Sequence, residues 1–311
     1  MRGAVITGWG TALPDKTVTN HDLALRMDTS HEWIVERTGI HERRVGGTTS
    51  SLAIEACQAA LARAGVAGPD VQALLLATTT PERTVPGTSP LVQHALGFRG
   101  GAVDVNGACS GFVYALVMAH GLVAQGLDRV LVAGSETLSR ITDWDDRNTA
   151  VLFADGAGAV LLEAVDGPGQ LLSWDLDSDG SLTPILYADI GGTFRMQGRE
   201  VFRQAVRVMV DSAQRSMERA GVGPDDITLM VAHQANIRII DAACQRLGIP
   251  VERNSVVIDR TGNTSAASIP IALASALDQG RVRDGDLVLL IGFGAGMTSA
   301  SAVLRWGSKP G

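Results

Sequence analysis

The sequence predicts a layered α/β protein made of two similarly wound halves that meet near residue 170. Three observations predict it. Apolar, strand-like runs alternate with helix-like segments along the whole chain, a pattern that favours layered sheets with helices outside. Residues 227–235 (ITLMVAHQA) match residues 71–79 (VQALLLATT), each following a helix, a glycine and a Pro-Asp pair, Pro224-Asp225 and Pro69-Asp70. Residues 286–296 match residues 128–136 in the same way. No low-complexity segment or flexible linker separates the halves.

In chain order, residues 3–14 are β-branched and end in a Gly/Pro turn, which reads as a strand. Residues 51–65 have helical spacing and a glycine stop, and residues 71–80 form an apolar strand. A Pro-rich loop follows over 81–90, then a helix. A strand at 101–106 runs straight into a helix over 107–126. Residues 129–136 are a buried strand, and residues 149–165 read as two strand segments around a glycine turn. The second half opens with a strand at 171–180 and a long helix at 199–221. Strands at 227–235 and 286–296 complete the plan, with boundaries expected at 1–168 and 169–311.

Composition narrows the function. The chain has 311 residues, 45% hydrophobic and 19% charged, too long for a disulfide-stapled mini-protein and too apolar for a disordered segment. Its 36 glycines follow no collagen period. A net charge of −7 argues against a general nucleic-acid binder. Of 26 basic residues only Lys16 and Lys309 are lysines, a bias of genome composition more than of function. Three cysteines leave one unpaired in any scheme, and with no C-x-x-C pair or signal-peptide layout they point to a reducing, cytoplasmic setting. The most apolar stretch, 286–298, is broken by glycines and falls short of a membrane span. No membrane association is expected.

Cys109 sits where a strand meets a helix, among the small residues of GACSG (107–111). The unpaired amides and dipole of that terminus favour a thiolate, and a thiolate nucleophile divides acyl transfer into two easier steps. The competing reading is a buried apolar cysteine, the usual fate of a free thiol. Cys57 and Cys244 lie inside amphipathic helices and read as core. His233 follows an apolar strand, at the end where open α/β sheets place ligands. Asn263 lies in a polar turn, TGNTS (261–265), where an ordinary turn residue or helix cap is the alternative. His21, His31, His41, His94 and His120 read as surface or packing residues.

Residues 107–116, 232–239, 262–270 and 292–300, with 31–44 and 145–160, resemble the signature segments of the β-ketoacyl-acyl-carrier-protein synthase III family, in order and across essentially the whole chain. The resemblance implies the thiolase fold, five-layered (α-β-α-β-α) with two pseudo-symmetric halves, as a homodimer. It implies that Cys109 takes an acyl group from an acyl-CoA, and that His233 and Asn263 donate hydrogen bonds as malonyl-acyl carrier protein decarboxylates. The backbone N–H groups of Cys109 and Ala295 resemble the family's oxyanion hole; the family commonly has Gly at the place of Ala295, and the amide survives. No metal or resident cofactor is implied, since coenzyme A and the carrier's phosphopantetheine are substrates.

By the same resemblance, Trp33 and Arg147 would sandwich the adenine of coenzyme A, with Arg37 and Arg238 along the channel. Taken alone these would read as a half-buried Trp and surface arginines in ion pairs. Arg199, Arg203 and Arg207 recur every four residues on one helix, and Arg246 lies on another, a basic face for an acidic carrier protein. The plainer alternative pairs them with Glu200 or Asp211. Gln245 and Arg246 stand where some family members carry adjacent lysines, which would weaken or shift that footprint. Val85 aligns with a position where acetyl-preferring members place a Phe that closes the partner subunit's acyl pocket.

The expected function is therefore condensation initiating fatty-acid synthesis. The nearest alternative is a priming ketosynthase or acyltransferase of a polyketide pathway using the same residues. A thiolase would need a second cysteine in the late glycine-rich loop, and residues 292–297 contain none. Joint presence of Cys109, His233 and Asn263 disfavours a silent scaffold.

Overall fold

The structure, a computed structural model, describes residues 2–307. The first half opens on a long strand, β1 (Arg2–Ala12). A two-stranded ribbon, β2 (Thr17–Thr19) and β3 (Glu42–Arg44), brackets α1 (Asn20–Ala24) and α2 (His31–Thr38). Next come α3 (Thr49–Ala64), β4 (Ala73–Ala77), α4 (Ser89–Leu96), β5 (Gly101–Val105) and α5 (Gly111–Ala124). β6 (Arg129–Thr137), α6 (Arg147–Ala150) and β7 (Asp155–Asp166) finish it. The second half runs through β8 (Leu171–Asp177), the small pair β9 (Leu186–Tyr187) and β10 (Arg195–Met196), then α7 (Gly198–Ala220) and β11 (Ile227–Ala232). It ends with α8 (Ile237–Leu247), α9 (Ile258–Thr261), α10 (Ser268–Asp278), β12 (Leu287–Gly294) and β13 (Thr298–Arg305).

The two large sheets follow one plan. The first has the order β1-β7-β6-β4-β5 and the second β8-β13-β12-β11. In each, the first three strands are mutually antiparallel and the next (β4 on β6, β11 on β12) is parallel. The repeats seen in the sequence are thus β4 with β11 and β6 with β12. β5, parallel to β4, has no counterpart in the second sheet among the described residues.

α5 and α10 lie between the sheets and are apolar nearly all round because both their faces are covered. Phe112, Val113 and Leu116 of α5 join Ile269 and Leu273 of α10 in one cluster with Val132 and Leu290 from the two sheets. Outside, α3 packs Ala53, Ala56 and Ala60 on the first sheet, while α7 and α8 pack Met209 and Ile240 on the second. That completes five layers. α3 is well bounded: Thr48 forms a capping box at its start and Gly65 ends it with φ of 66°.

One expected element differs. Residues 149–165 do not form two strand segments about a glycine turn; α6 leads into the single strand β7. Its glycines serve close approach instead. A Cβ on Gly158 would come 2.9 Å from the backbone nitrogen of Ile271, and one on Gly134 would come 2.3 Å from the Ala266 carbonyl oxygen. Bare strands here let the start of α10 lie directly on the first sheet. Among the described residues, no helix is long and apolar enough to cross a membrane.

Candidate active site

Between β5 and α5, residues Ala108–Ser110 form a 3₁₀ turn with Ala108 in the left-handed region, φ 48°. The hydroxyls of Ser110 and Thr298 both donate to the Gly107 carbonyl, at 2.8 and 3.1 Å, and lock the turn. Cys109 is thereby presented, partly exposed, at the N-terminal end of α5. Gly294 at the end of β12 lies so near that a Cβ there would be 2.6 Å from the Cys109 amide nitrogen. That approach brings the backbone leading to Ala295 against the nucleophile candidate.

The expectation that the helix terminus leaves Cys109 a thiolate at rest is corrected. Burial pushes the thiol up to about 12; the Ser265 hydroxyl opposes the shift and the Glu136 charge adds to it. Desolvation by the surrounding protein outweighs the few amides at the turn. Cys57 and Cys244 are buried free thiols inside α3 and α8, as expected.

His233 follows β11, held there by its N–H to the Ile291 carbonyl at 2.8 Å. Its ring is 1% exposed, and burial lowers its pKa to about 3, so it is neutral at working pH. The tautomer follows from its neighbours. Ser268 Oγ accepts the Gln234 N–H at 3.2 Å and lies 2.7 Å from His233 Nδ1, so its proton goes to Nδ1. That leaves Nε2 carrying the hydrogen, a donor.

Asn263 is clamped to the first half by two backbone hydrogen bonds, its N–H to the Leu152 carbonyl and its carbonyl from the Ala154 N–H, each 2.9 Å. Its Oδ1 accepts the Ser265 N–H at 2.9 Å, which assigns the side-chain oxygen and leaves Nδ2 as the free donor.

Cys109, His233, Asn263 and Ala295 line one cavity of about 780 Å³. Trp33, Arg37, Arg147, Arg238 and Arg199 line the same cavity. The guanidinium carbons of Arg37 and Arg147 lie 4.6 and 4.7 Å from the centre of the Trp33 ring, and Arg238 lies 5.8 Å from that of Phe202. Arg147 also donates to the Asp28 carbonyl at 2.7 Å. Arg147 thus stacks on Trp33 directly.

The remaining predicted residues lie elsewhere. Arg203 and Arg207 follow Arg199 along the exposed side of α7, paired with Glu200 at 2.6 Å and Asp211 at 3.8 Å, and Arg246 is exposed on α8. Val85 is 81% exposed and outside the cavity lining. Its loop is pinned on both sides: Glu82 accepts the Ser50 N–H at 2.6 Å, and Asp104 accepts the Thr88 and Ser89 N–H groups at 2.7 Å. His21, His31 and His41 stack on one another with ring centres 5.2 and 5.5 Å apart, a packing role.

Sequence reasoning missed Ser265, Ser268 and Glu136. The two serines lay inside a segment already singled out, but hydroxyls in a polar turn look like caps. Glu136 could have been noticed as an acid closing an otherwise apolar strand.

Residues 103–180 match the 3-oxoacyl-[acyl-carrier-protein] synthase III family, and residues 217–306 match the family of its C-terminal region. The chain is 48% identical over 307 residues to β-ketoacyl-[acyl-carrier-protein] synthase III 1 of Bacillus anthracis, covering 97% of this chain and 98% of that protein. The chain belongs to the β-ketoacyl-acyl-carrier-protein synthase III family. Membership makes it an acyltransferase of the ketosynthase type on the thiolase fold. The crystal structure of the Aquifex aeolicus synthase III superposes with a TM-score of 0.95 at 44% identity, covering 98% of this chain and all of that one (100%). A priming β-ketosynthase from the R1128 polyketide pathway superposes with a TM-score of 0.92 at 33% identity, covering 99% and 98%.

Proposed function

We propose that this synthase III joins the acyl group of an acyl-CoA to malonyl-acyl carrier protein with loss of CO₂, starting fatty-acid synthesis. Cys109 Sγ attacks the acyl-CoA carbonyl, and coenzyme A leaves with the thiol proton. Malonyl-acyl carrier protein then enters and loses CO₂. The enolate so formed carries its charge on the thioester oxygen, where His233 Nε2–H and Asn263 Nδ2–H donate to it. Its carbon attacks the acyl-Cys109 carbonyl, the oxyanion faces the backbone N–H groups of Cys109 and Ala295, and the cysteine sulfur leaves.

The observation that carries this reading is the pair of neutral donors on the cavity of Cys109. An enolate needs charge stabilisation without a proton to quench it, and a His held neutral by burial beside an oriented amide supplies that. The deciding experiment is release of labelled CO₂ from malonyl-acyl carrier protein in proportion to acyl-CoA consumed. Acyl transfer without CO₂ would overturn condensation.

Trp33, Arg37, Arg147 and Arg238 bind coenzyme A in this scheme. An adenine between Trp33 and Arg147 needs two van der Waals gaps, about 7 Å, so Arg147 swings away from its 4.7 Å stack to admit it. Arg199, Arg203, Arg207 and Arg246 attract the acidic carrier protein, with Arg203 and Arg207 trading their partners on α7 for its carboxylates. The enzyme is a cytoplasmic homodimer joined along β5. Support comes from the open edge of that strand and from the exposure of Val103 and Met118 (both 49%), the surface an unpaired edge hides in an assembly. Val85 then closes the partner's acyl pocket. The halves divide at residues 168 and 169.

A further inference from the structure

An acyl-enzyme made from a buried thiol needs somewhere to put the proton. This question rests on the nucleophile reading above. His233 is a poor candidate, since its Nδ1 is taken by Ser268 and its Nε2 already carries hydrogen. The other charged group acting on Cys109 is Glu136, which is fully buried.

The surroundings of Glu136 are unusual. Its carboxylate accepts from Thr80 Oγ1 at 2.5 Å, from Thr79 N–H and Oγ1 at 3.1 Å, and from Thr78 Oγ1 at 3.2 Å. The Thr78 and Thr80 oxygens accept the N–H groups of Thr80 (3.1 Å) and Thr137 (2.9 Å), so both hydroxyl protons point to Glu136. Arg140 stops one bond short, on the Thr80 carbonyl at 3.3 Å and the Thr137 hydroxyl at 3.4 Å. The Ser265 hydroxyl acts on both Cys109 and Glu136. Its backbone is fixed by the N–H to Asn263 Oδ1, and Ser265, Thr79 and Cys109 line the same cavity. One hydroxyl has one proton. It goes to the charged carboxylate, which turns the oxygen lone pair toward the thiol.

We propose that Glu136, acting through the Ser265 hydroxyl, receives the Cys109 proton as the thiol attacks an acyl-CoA. The Cys109 S–H proton moves to Ser265 Oγ while the Ser265 proton moves to Glu136. The Sγ–C bond forms, the bond from that carbon to the coenzyme A sulfur breaks, and the proton returns by the same hydroxyl to the leaving sulfur. Glu136 ends as it began. Ser265 touches the reacting sulfur; Glu136 works behind it as a positioning residue.

The test measures acylation of Cys109 by acetyl-CoA, by rapid quench and mass spectrometry, alongside the pH profile of iodoacetamide alkylation. Glu136→Gln and Ser265→Ala should each slow acylation by about 10²-fold, the lower range for a lost proton acceptor. Glu136→Gln should also move the alkylation midpoint to lower pH, because a negative charge beside the sulfur is gone, and Glu136→Asp should recover part of the acylation rate. A Gln variant that acylates at least as fast as wild type, or whose alkylation midpoint does not fall, overturns the relay. If Glu136→Gln does not fold, Ser265→Ala decides: slowing supports the relay and a wild-type rate overturns it. Wild-type enzyme that acetyl-CoA fails to acylate refutes the acyl-enzyme reading itself, and the relay with it.

Discussion

Two turns of one shape face each other across the active site. Ala108 and Ser265 share a φ of 48°, and each opens a 3₁₀ turn that leads into a central helix, α5 or α10. In the first half the turn carries Cys109. In the second, the corresponding position is Ala266, and the chemistry shifts to Asn263 two residues before the turn and to Ser268 at the head of the helix. Other matched positions diverge as sharply. Ala73 pairs with Val130 and Leu229 with Val288, so Ala77 occupies in the first sheet the place that His233 occupies in the second. At the end of β6 stands Glu136, and at the matching end of β12 stands Gly294, whose missing Cβ leaves space for the Cys109 amide. A repeated frame thus supplies geometry, and a handful of side-chain exchanges give one half the nucleophile and the other the donors.

That division can be broken by substitution. The largest effect is expected from Cys109→Ser, which should abolish acyl labelling from acyl-CoA, read by intact-protein mass spectrometry, while melting temperature is kept. A serine alkoxide is far less available than a thiolate. Label appearing on any other residue would dissolve the contrast between the turns.

His233→Ala or Asn263→Ala should cost the second half's function alone. Loss of one oxyanion-type donor lowers rate by about 10²–10³. Malonyl decarboxylation should fall by that factor and Cys109 self-acylation should persist. Equal collapse of both half-reactions would mean these residues serve the cysteine instead.

Ser268→Ala sharpens the assignment of the His233 tautomer. Without its Nδ1 partner the ring can place hydrogen on either nitrogen, and decarboxylation should fall by about tenfold, the weight of one neutral hydrogen bond. The folded pKa of His233 lies near 3, well below the ordinary 6.5, so the ring stays neutral across the working range. Decarboxylation by the wild type should therefore show no inflection near pH 6.5 from this group.

The smallest and most selective effect concerns Val85. Valine leaves more room than phenylalanine, and one methylene in an apolar pocket is worth roughly 1–3 kcal/mol. Wild type should favour isobutyryl- or hexanoyl-CoA over acetyl-CoA in kcat/KM, and Val85→Phe should reverse that order. No change on substitution, with acetyl-CoA already preferred, would show that Val85 does not gate the pocket.

Much of this was legible in the chain. Apolar runs of β4, β6, β11 and β12 are buried on both faces, so their hydrophobic pattern announces them and their kinship. Cys109, His233 and Asn263 stand at strand-to-helix junctions with small or polar neighbours, and the motifs around them name the family. β7 misled because glycine marks both turns and close approaches, and only the position of α10 distinguishes the two. The arginines of α7 were read correctly as a periodic face, yet their partners Glu200 and Asp211 compete for them in a way that spacing cannot weigh.

By itself the sequence determined the alternation of strands and helices, the internal repeat, and the residue types able to hold an acyl group and stabilise an enolate. These depend on neighbours close in the chain, where periodicity and turn chemistry act. Tertiary structure alone decided how those residues behave. Cys109 rests as a thiol, because burial removes the water that would stabilise its charge. His233 donates from Nε2 because Ser268, 35 residues later, returns to its Nδ1. Glu136 reaches the nucleophile's surroundings only because Ser265, from the opposite half, is folded against them. Protonation and tautomer are set by desolvation and by contacts between distant segments, and no local pattern encodes either.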